Sequence, residues 1–174
     1  MSHQISQGIS QTELKSWLEN ALKHFGLYKN QGINYTDADI APIVMCTIKV
    51  GDQILIVKRA NNLADANAYW STVNGFIDQI KDVREIASNE LDEELGLKVA
   101  VTNINVASSY TLKNTDEKRQ YIVFPCLIEL QTKPPIVLNG ENTEYRWIKP
   151  EEITAFNILS DLPYAVERAL QLSK

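Results

Sequence analysis

Leu14, Trp17, Leu18, Ala21, Leu22 and Phe25 recur at intervals of three and four, which places them on one face of a helix. Ser10 followed by Glu13 forms a capping-box pattern ahead of the run, and Gly26 offers a stop, so an amphipathic helix is predicted between them. Its apolar face would pack on the body of the domain or on a second copy in a homodimer; its polar face is not notably basic, which argues against a membrane role. The period then changes. APIVMCTIKV and QILIVKRA, separated by Gly51-Asp52, predict two strands joined by a tight turn. Residues 61–68 are small and polar and predict a loop, and 69–73 a short strand ahead of Asn74-Gly75. Apolar strands are expected near 99–112 and 120–130, with LKNTDEKR as the connecting turn. QTKPPIVLNGEN then predicts a loop and EYRWI a last short strand. Pro150 opens a helical turn, and Ser160-Asp161 are expected to cap a final helix carrying Leu162, Ala165, Val166, Ala169 and Leu170. Strands interleaved with a few helices predict a layered α/β (α+β) domain with a mixed sheet.

The helix expected from about Asp82 to Leu95, closed by Gly96, breaks this regularity. Val83, Ile86, Ala87 and Leu91 set its apolar stripe, with Leu95 at the edge, yet Glu90 and Glu94 project into that stripe and Glu93 lies beside it. Carboxylates three and four residues apart repel, and desolvating them without a partner costs several kcal/mol. Asp92 and Glu85 point away and read as a solvated face. Glu90, Glu93 and Glu94 call for a cation, and a hard divalent ion such as Mg²⁺ takes oxygen ligands of this kind; the competing reading is an acidic face held by salt bridges.

Composition narrows the function classes. The 174 residues, 44% of them hydrophobic, suffice for one globular domain with a real core. A formal charge of -5 argues against nucleic acid as a partner, because phosphate neutralisation needs basic patches. No apolar run reaches the length of a membrane span, and MSHQISQGIS lacks the regions of a signal peptide, so a cytoplasmic protein with no membrane partner is expected. Cys46 and Cys126 lie in apolar stretches without metal-type spacing and read as buried reduced thiols. His3 and His24 both precede the expected site, which disfavours a histidine base or ligand cluster.

The span GFIDQIKDVREIASNELDEELGL resembles the Nudix box, G-x5-E-x7-R-E-U-x-E-E-x-G-U with U aliphatic. Gly75 fills its first position, and Glu90, Leu91, Glu93, Glu94, Gly96 and Leu97 fill all but one of the last run. The strand ending in LIVKR, the tryptophan and short strand before the box, and the late EYRW strand are also similar to this MutT-like family. Two positions depart: Lys81 stands where the family has its first glutamate, and Asn89 where it has arginine. The resemblance covers residues 40–174 as a Nudix hydrolase domain and leaves 1–39 as an N-terminal helical extension.

The resemblance implies an α/β/α sandwich with a mixed sheet, and a hydrolase that cleaves a phosphoanhydride in a nucleoside diphosphate linked to another moiety, using Mg²⁺ or Mn²⁺. The alternative is a nucleotide-binding or regulatory module of the same fold with weak or no catalysis. Glu90, Glu93 and Glu94 are implied as metal ligands and catalytic groups, with the Asn74 backbone carbonyl as a further ligand. In the family the box arginine orients the next glutamate; Asn89 could offer Glu90 a hydrogen bond but no charge. Asp78 or Asp82 could replace the lost acid. Glu117, Glu141 and Glu144 are candidates for a separate base. Gly75, Arg59 and Lys81 are expected on the substrate, Arg59 by its similarity to a phosphate-contacting arginine, although a surface salt bridge is the other reading for Arg59 and simple solvation for Lys81. Tyr110, Tyr121, Phe124 and Trp147 could stack on a base or belong to the core.

Overall fold

A computed structural model gives the fold and describes residues 3–29, 31–60, 69–114, 119–159 and 161–173. In chain order the elements are β1 (His3–Gln7), α1 (Gln11–Phe25), β2 (Leu27–Tyr28), β3 (Gly32–Ile33), β4 (Ile40–Val50), β5 (Gln53–Arg59), β6 (Trp70–Ser71) and β7 (Val73–Phe76). There follow α2 (Val83–Leu95), β8 (Ile104–Val106), β9 (Tyr110–Asn114), β10 (Gln120–Leu130), β11 (Asn142–Ile148), a 3₁₀ turn at Pro150–Ala155 and α3 (Leu162–Leu170).

The sheet runs β1-β9-β10-β4-β5-β11, with β6 on β5, β7 on β4 and β8 on β10. It is mixed. β10 and β4 run parallel from Gln120 opposite Ile40 to Leu130 opposite Val50, and the other pairings are antiparallel. Gly51, at φ 59°, turns β4 into β5 so that Val50 faces Gln53.

Period-two alternation divides the sheet between two cores. Val44, Cys46 and Ile48 of β4 and Phe124, Cys126 and Ile128 of β10 face α1 and α2, which contribute Leu14, Leu18, Ile86, Leu91 and Leu95. Met45, Ile54, Ile56 and Val123 face the opposite way onto Leu162, Ala165 and Val166 of α3. The result is an α/β/α sandwich, as expected. Tyr110 and Phe124 are buried core aromatics. Tyr121 and Trp147 are half-buried against the two cores, with the Lys133 ammonium 5.3 Å from the Trp147 ring centroid.

α1 has the predicted capping box: Ser10 Oγ accepts from the Glu13 amide at 3.1 Å and Glu13 accepts from the Ser10 amide at 2.7 Å. Its apolar face lies on the sheet of its own chain, within the core shared with α2. Several stretches differ from the expected pattern. The strand expected over 69–73 is two short ones, β6 and β7, the second running through Asn74 and Gly75. Residues 112–114 of the expected LKNTDEKR turn belong to β9, and 115–118 lie outside the described residues. Asp161 makes no side-chain cap bond to α3, and Ser160 lies outside the described residues. HQISQ forms β1, an edge strand on β9; a small β2–β3 hairpin follows α1; and the strand expected over 99–112 is a 3₁₀ turn at Val101–Asn103 followed by β8 and β9. Leu95, expected at the edge of the α2 stripe, is fully buried, because the 137–142 segment lies over that end of the helix. The predicted 61–68 loop lies outside the described residues. Among the described residues no helix is long and apolar enough to cross a membrane.

Candidate active site

α2 starts where Asp82 accepts from the Arg84 amide at 2.8 Å while Glu85 reciprocates on the Asp82 amide at 3.1 Å. It stops at Gly96, whose left-handed φ of 63° lets its amide bond back onto Asp92 and Leu91. With both ends fixed, the helix lays its apolar stripe on the sheet and carries its acids to β7 and β11. Glu94 is buried, Glu90 half-buried and Glu93 exposed. Asp92 and Glu85 are exposed, as the helical pattern requires.

The Glu90 carboxyl lies on Gly75 of β7. A Cβ at position 75 would overlap it, so any other residue there would push the Glu90 carboxyl out of its present place. Glu94 meets the start of β11: Asn142 Nδ2 donates to Glu94 Oε2 at 2.7 Å. Among the described residues no ion pair reaches either carboxylate.

Burial, together with the charges of Glu94, Glu93, Glu141 and Asp78, pushes the Glu90 carboxyl up to about 8. Glu94 is raised to about 7, chiefly by burial and with Glu141 adding to the rise; the Asn142 hydrogen bond, the Arg59 charge and the Asn74 amide oppose it. Arg59, at the end of β5, therefore acts on the site. Among the described residues no three His, Cys, Asp or Glu side chains already converge as a metal cage. The case for a cation is electrostatic: two carboxylates forced toward the neutral form by desolvation and by neighbouring acids.

The remaining candidates separate clearly. The Glu141 charge raises both Glu90 and Glu94, and its backbone is pinned where Ala60 donates to its carbonyl at 2.7 Å. Glu144 is engaged elsewhere, 2.7 Å from Arg146 and 3.7 Å from Lys58. Glu117 lies outside the described residues. Asp82 is committed to the helix cap and to Arg84 at 3.5 Å, whereas Asp78 is half-buried against Gly32 and adds to the charge felt by Glu90. Lys81 is exposed, and its charge acts on Asp78. Asn89 is exposed, and none of the hydrogen bonds of the described residues joins it to Glu90. The Asn74 side chain is occupied by Ser71 Oγ at 3.1 Å and the Thr72 carbonyl at 3.0 Å, which leaves its backbone as the part that faces α2. Sequence reasoning missed Asn142, whose only sequence signal is a polar residue opening a half-buried strand.

An α/β/α sandwich with an acidic helix clamped over a glycine strand defines a class of fold, and the comparisons agree with it. The NUDIX domain family model matches residues 40–168. A nucleoside triphosphatase, NudI of Salmonella typhimurium strain LT2, is 25% identical over 113 residues, covering 60% of this chain and 78% of its own. Among solved structures, a MutT protein from Methanosarcina mazei superimposes with a TM-score of 0.63 at 18% identity, covering 79% of this chain and 98% of that one. The NUDIX domain of Shewanella oneidensis NrtR, solved with ADP ribose, gives a TM-score of 0.62 at 14% identity, covering 82% and 94%. The chain belongs to the Nudix family. It is a Nudix-type pyrophosphohydrolase, a hydrolase of nucleoside diphosphates linked to a further group.

Proposed function

We propose that this chain cleaves a phosphoanhydride bond in a nucleoside triphosphate, ADP-ribose or a related compound with the help of Mg²⁺ or Mn²⁺, residues 40–174 forming the catalytic domain. The observation that carries the proposal is the placement of Glu90 and Glu94, desolvated, mutually repelling and without an ion pair among the described residues. Hard oxygen donors in that condition fit a divalent ion, and Gly75 leaves the Glu90 carboxyl its space. Glu90, Glu93, Glu94 and the Asn74 carbonyl would hold it. Such an ion supplies charge neutralisation on the diphosphate and a more acidic water.

The chain's own groups divide the remaining work. One of the box glutamates could also take the proton of the attacking water, and Glu141, whose charge acts on both Glu90 and Glu94, is a separate acceptor on the same side. Arg59 presents a guanidinium for a phosphate oxygen. Lys81, exposed and with its charge felt at Asp78, would offer a further cation to a substrate phosphate. NudI, named a nucleoside triphosphatase, supports a triphosphate as substrate, and the ADP ribose bound by the NrtR domain supports a nucleotide sugar.

A screen of nucleoside triphosphates, ADP-ribose, NADH and dinucleoside polyphosphates with Mg²⁺ or Mn²⁺ tests the proposal. Turnover is expected in the wild type and its loss in a Glu93→Gln, Glu94→Gln double variant. Equal rates in the two proteins would overturn it, and nucleotide that binds and is recovered intact would make the chain a binding module.

A further inference from the structure

We infer that Asn142 is a positioning residue for Glu94, set there by a clamp that the 137–142 segment closes over the end of α2. The inference rests on the metal role proposed above for Glu94. The last carbonyls of a helix have no partner within it and must find one outside. Here the Val137 amide donates to the Leu95 carbonyl at 2.9 Å and the Asn139 amide to the Glu94 carbonyl at 3.2 Å. The backbone of Glu94 is thus fixed by the same segment whose Asn142 then holds its side chain at 2.7 Å. Asn142 is itself buried, with 5% of its surface exposed, so its amide is not satisfied by bulk water.

The β11 ladder explains how a side chain from an edge strand comes to point inward. Asn142 pairs with Arg59 of β5, and the register then shifts between Asn142 and Glu144. A bulge of this kind re-aims the side chains on either side of it. Asn142 faces Glu94, while Glu144 turns to Lys58 and Arg146.

The chemistry of the donor matters as much as its position. A lysine or arginine at this place would neutralise Glu94 and compete with a cation for it. A neutral amide orients the carboxylate through Oε2 and leaves its charge available to a cation. The chain lacks the box arginine, with Asn89 exposed, and Asn142 orients an acid of the same helix from the strand side instead.

The test is Mn²⁺ binding, measured by electron paramagnetic resonance titration of the full-length protein without nucleotide. Asn142→Leu, similar in size but without a donor, and Asn142→Asp, which sets a second carboxylate against Glu94, are compared with wild type, and thermal melting of each metal-free protein controls for folding. The expected result for Asn142→Leu is a weakening of about tenfold or more, the usual cost of losing such an outer partner. Its melting curve should remain cooperative, and the Mn²⁺ concentration giving half-maximal turnover should rise more than the KM for nucleotide. Asn142→Gln, which keeps the amide, should recover part of the affinity. A folded Asn142→Leu protein that binds Mn²⁺ within twofold of wild type overturns the inference while leaving the metal role intact. A wild type that binds no Mn²⁺ overturns both.

Discussion

At the scale of single residues the site is a set of conflicts left in place. Glu90 is buried far enough that its carboxyl titrates at about 8 instead of 4.5, so ionising it costs the folded protein stability. A folded-state value raised above the unfolded one means that the stabilisation is present in full below pH 4.5 and is lost as pH rises through about 8. Metal-free Glu90→Gln should therefore melt above the wild type at pH values beyond 8 and close to it at pH 4.5, with added Mn²⁺ raising only the wild type. Thermal melts across that range check it, and parallel curves would contradict it. The sequence pattern alone exposed this conflict, because helical periodicity is enough to set Glu90 and Glu94 among leucines. It could not reveal Asn142 or the relative standing of Glu141 and Glu144. Those depend on a bulge and on a strand pairing that no local spacing encodes.

Elements were legible where their ends carry their own chemistry. α1 and α2 each have a reciprocal cap at the start and a glycine of positive φ at the end, all local signals. Replacing Ser10 by Ala removes the acceptor for the Glu13 amide and should cost roughly 1 kcal/mol. Chemical denaturation would measure it as a lower midpoint with an unchanged slope. The β4–β5 hairpin was equally plain from its turn. β1 was not: HQISQ has a single large apolar residue, and its pairing with β9 joins segments more than a hundred residues apart. The two-residue strands β2 and β3 are too short for any period to show.

Across the whole molecule, the N-terminal segment is part of the architecture. β1 extends the sheet, α1 fills the core that α2 shares, and the Ile33 amide donates to the Asp78 carbonyl at 2.7 Å, beside the site. Deleting residues 1–30 uncovers the apolar side chains that Leu14, Leu18 and Ala21 now cover. The shortened protein is expected to melt at a clearly lower temperature or to aggregate; unchanged melting would show that α1 contributes little to the fold. The centre of the sheet offers a different opportunity. Cys46 and Cys126 stand opposite each other on the parallel pair β4 and β10, both thiols free and fully enclosed, with the hydrogen bond to the Cys126 thiol, then burial, holding Cys46 in its unreactive protonated form. An alkylating reagent can reach either sulfur only when the middle of the sandwich parts, so the rate of labelling reads out how often it does. The protein thus contains a native opening clock at its midline, usable without any engineered probe.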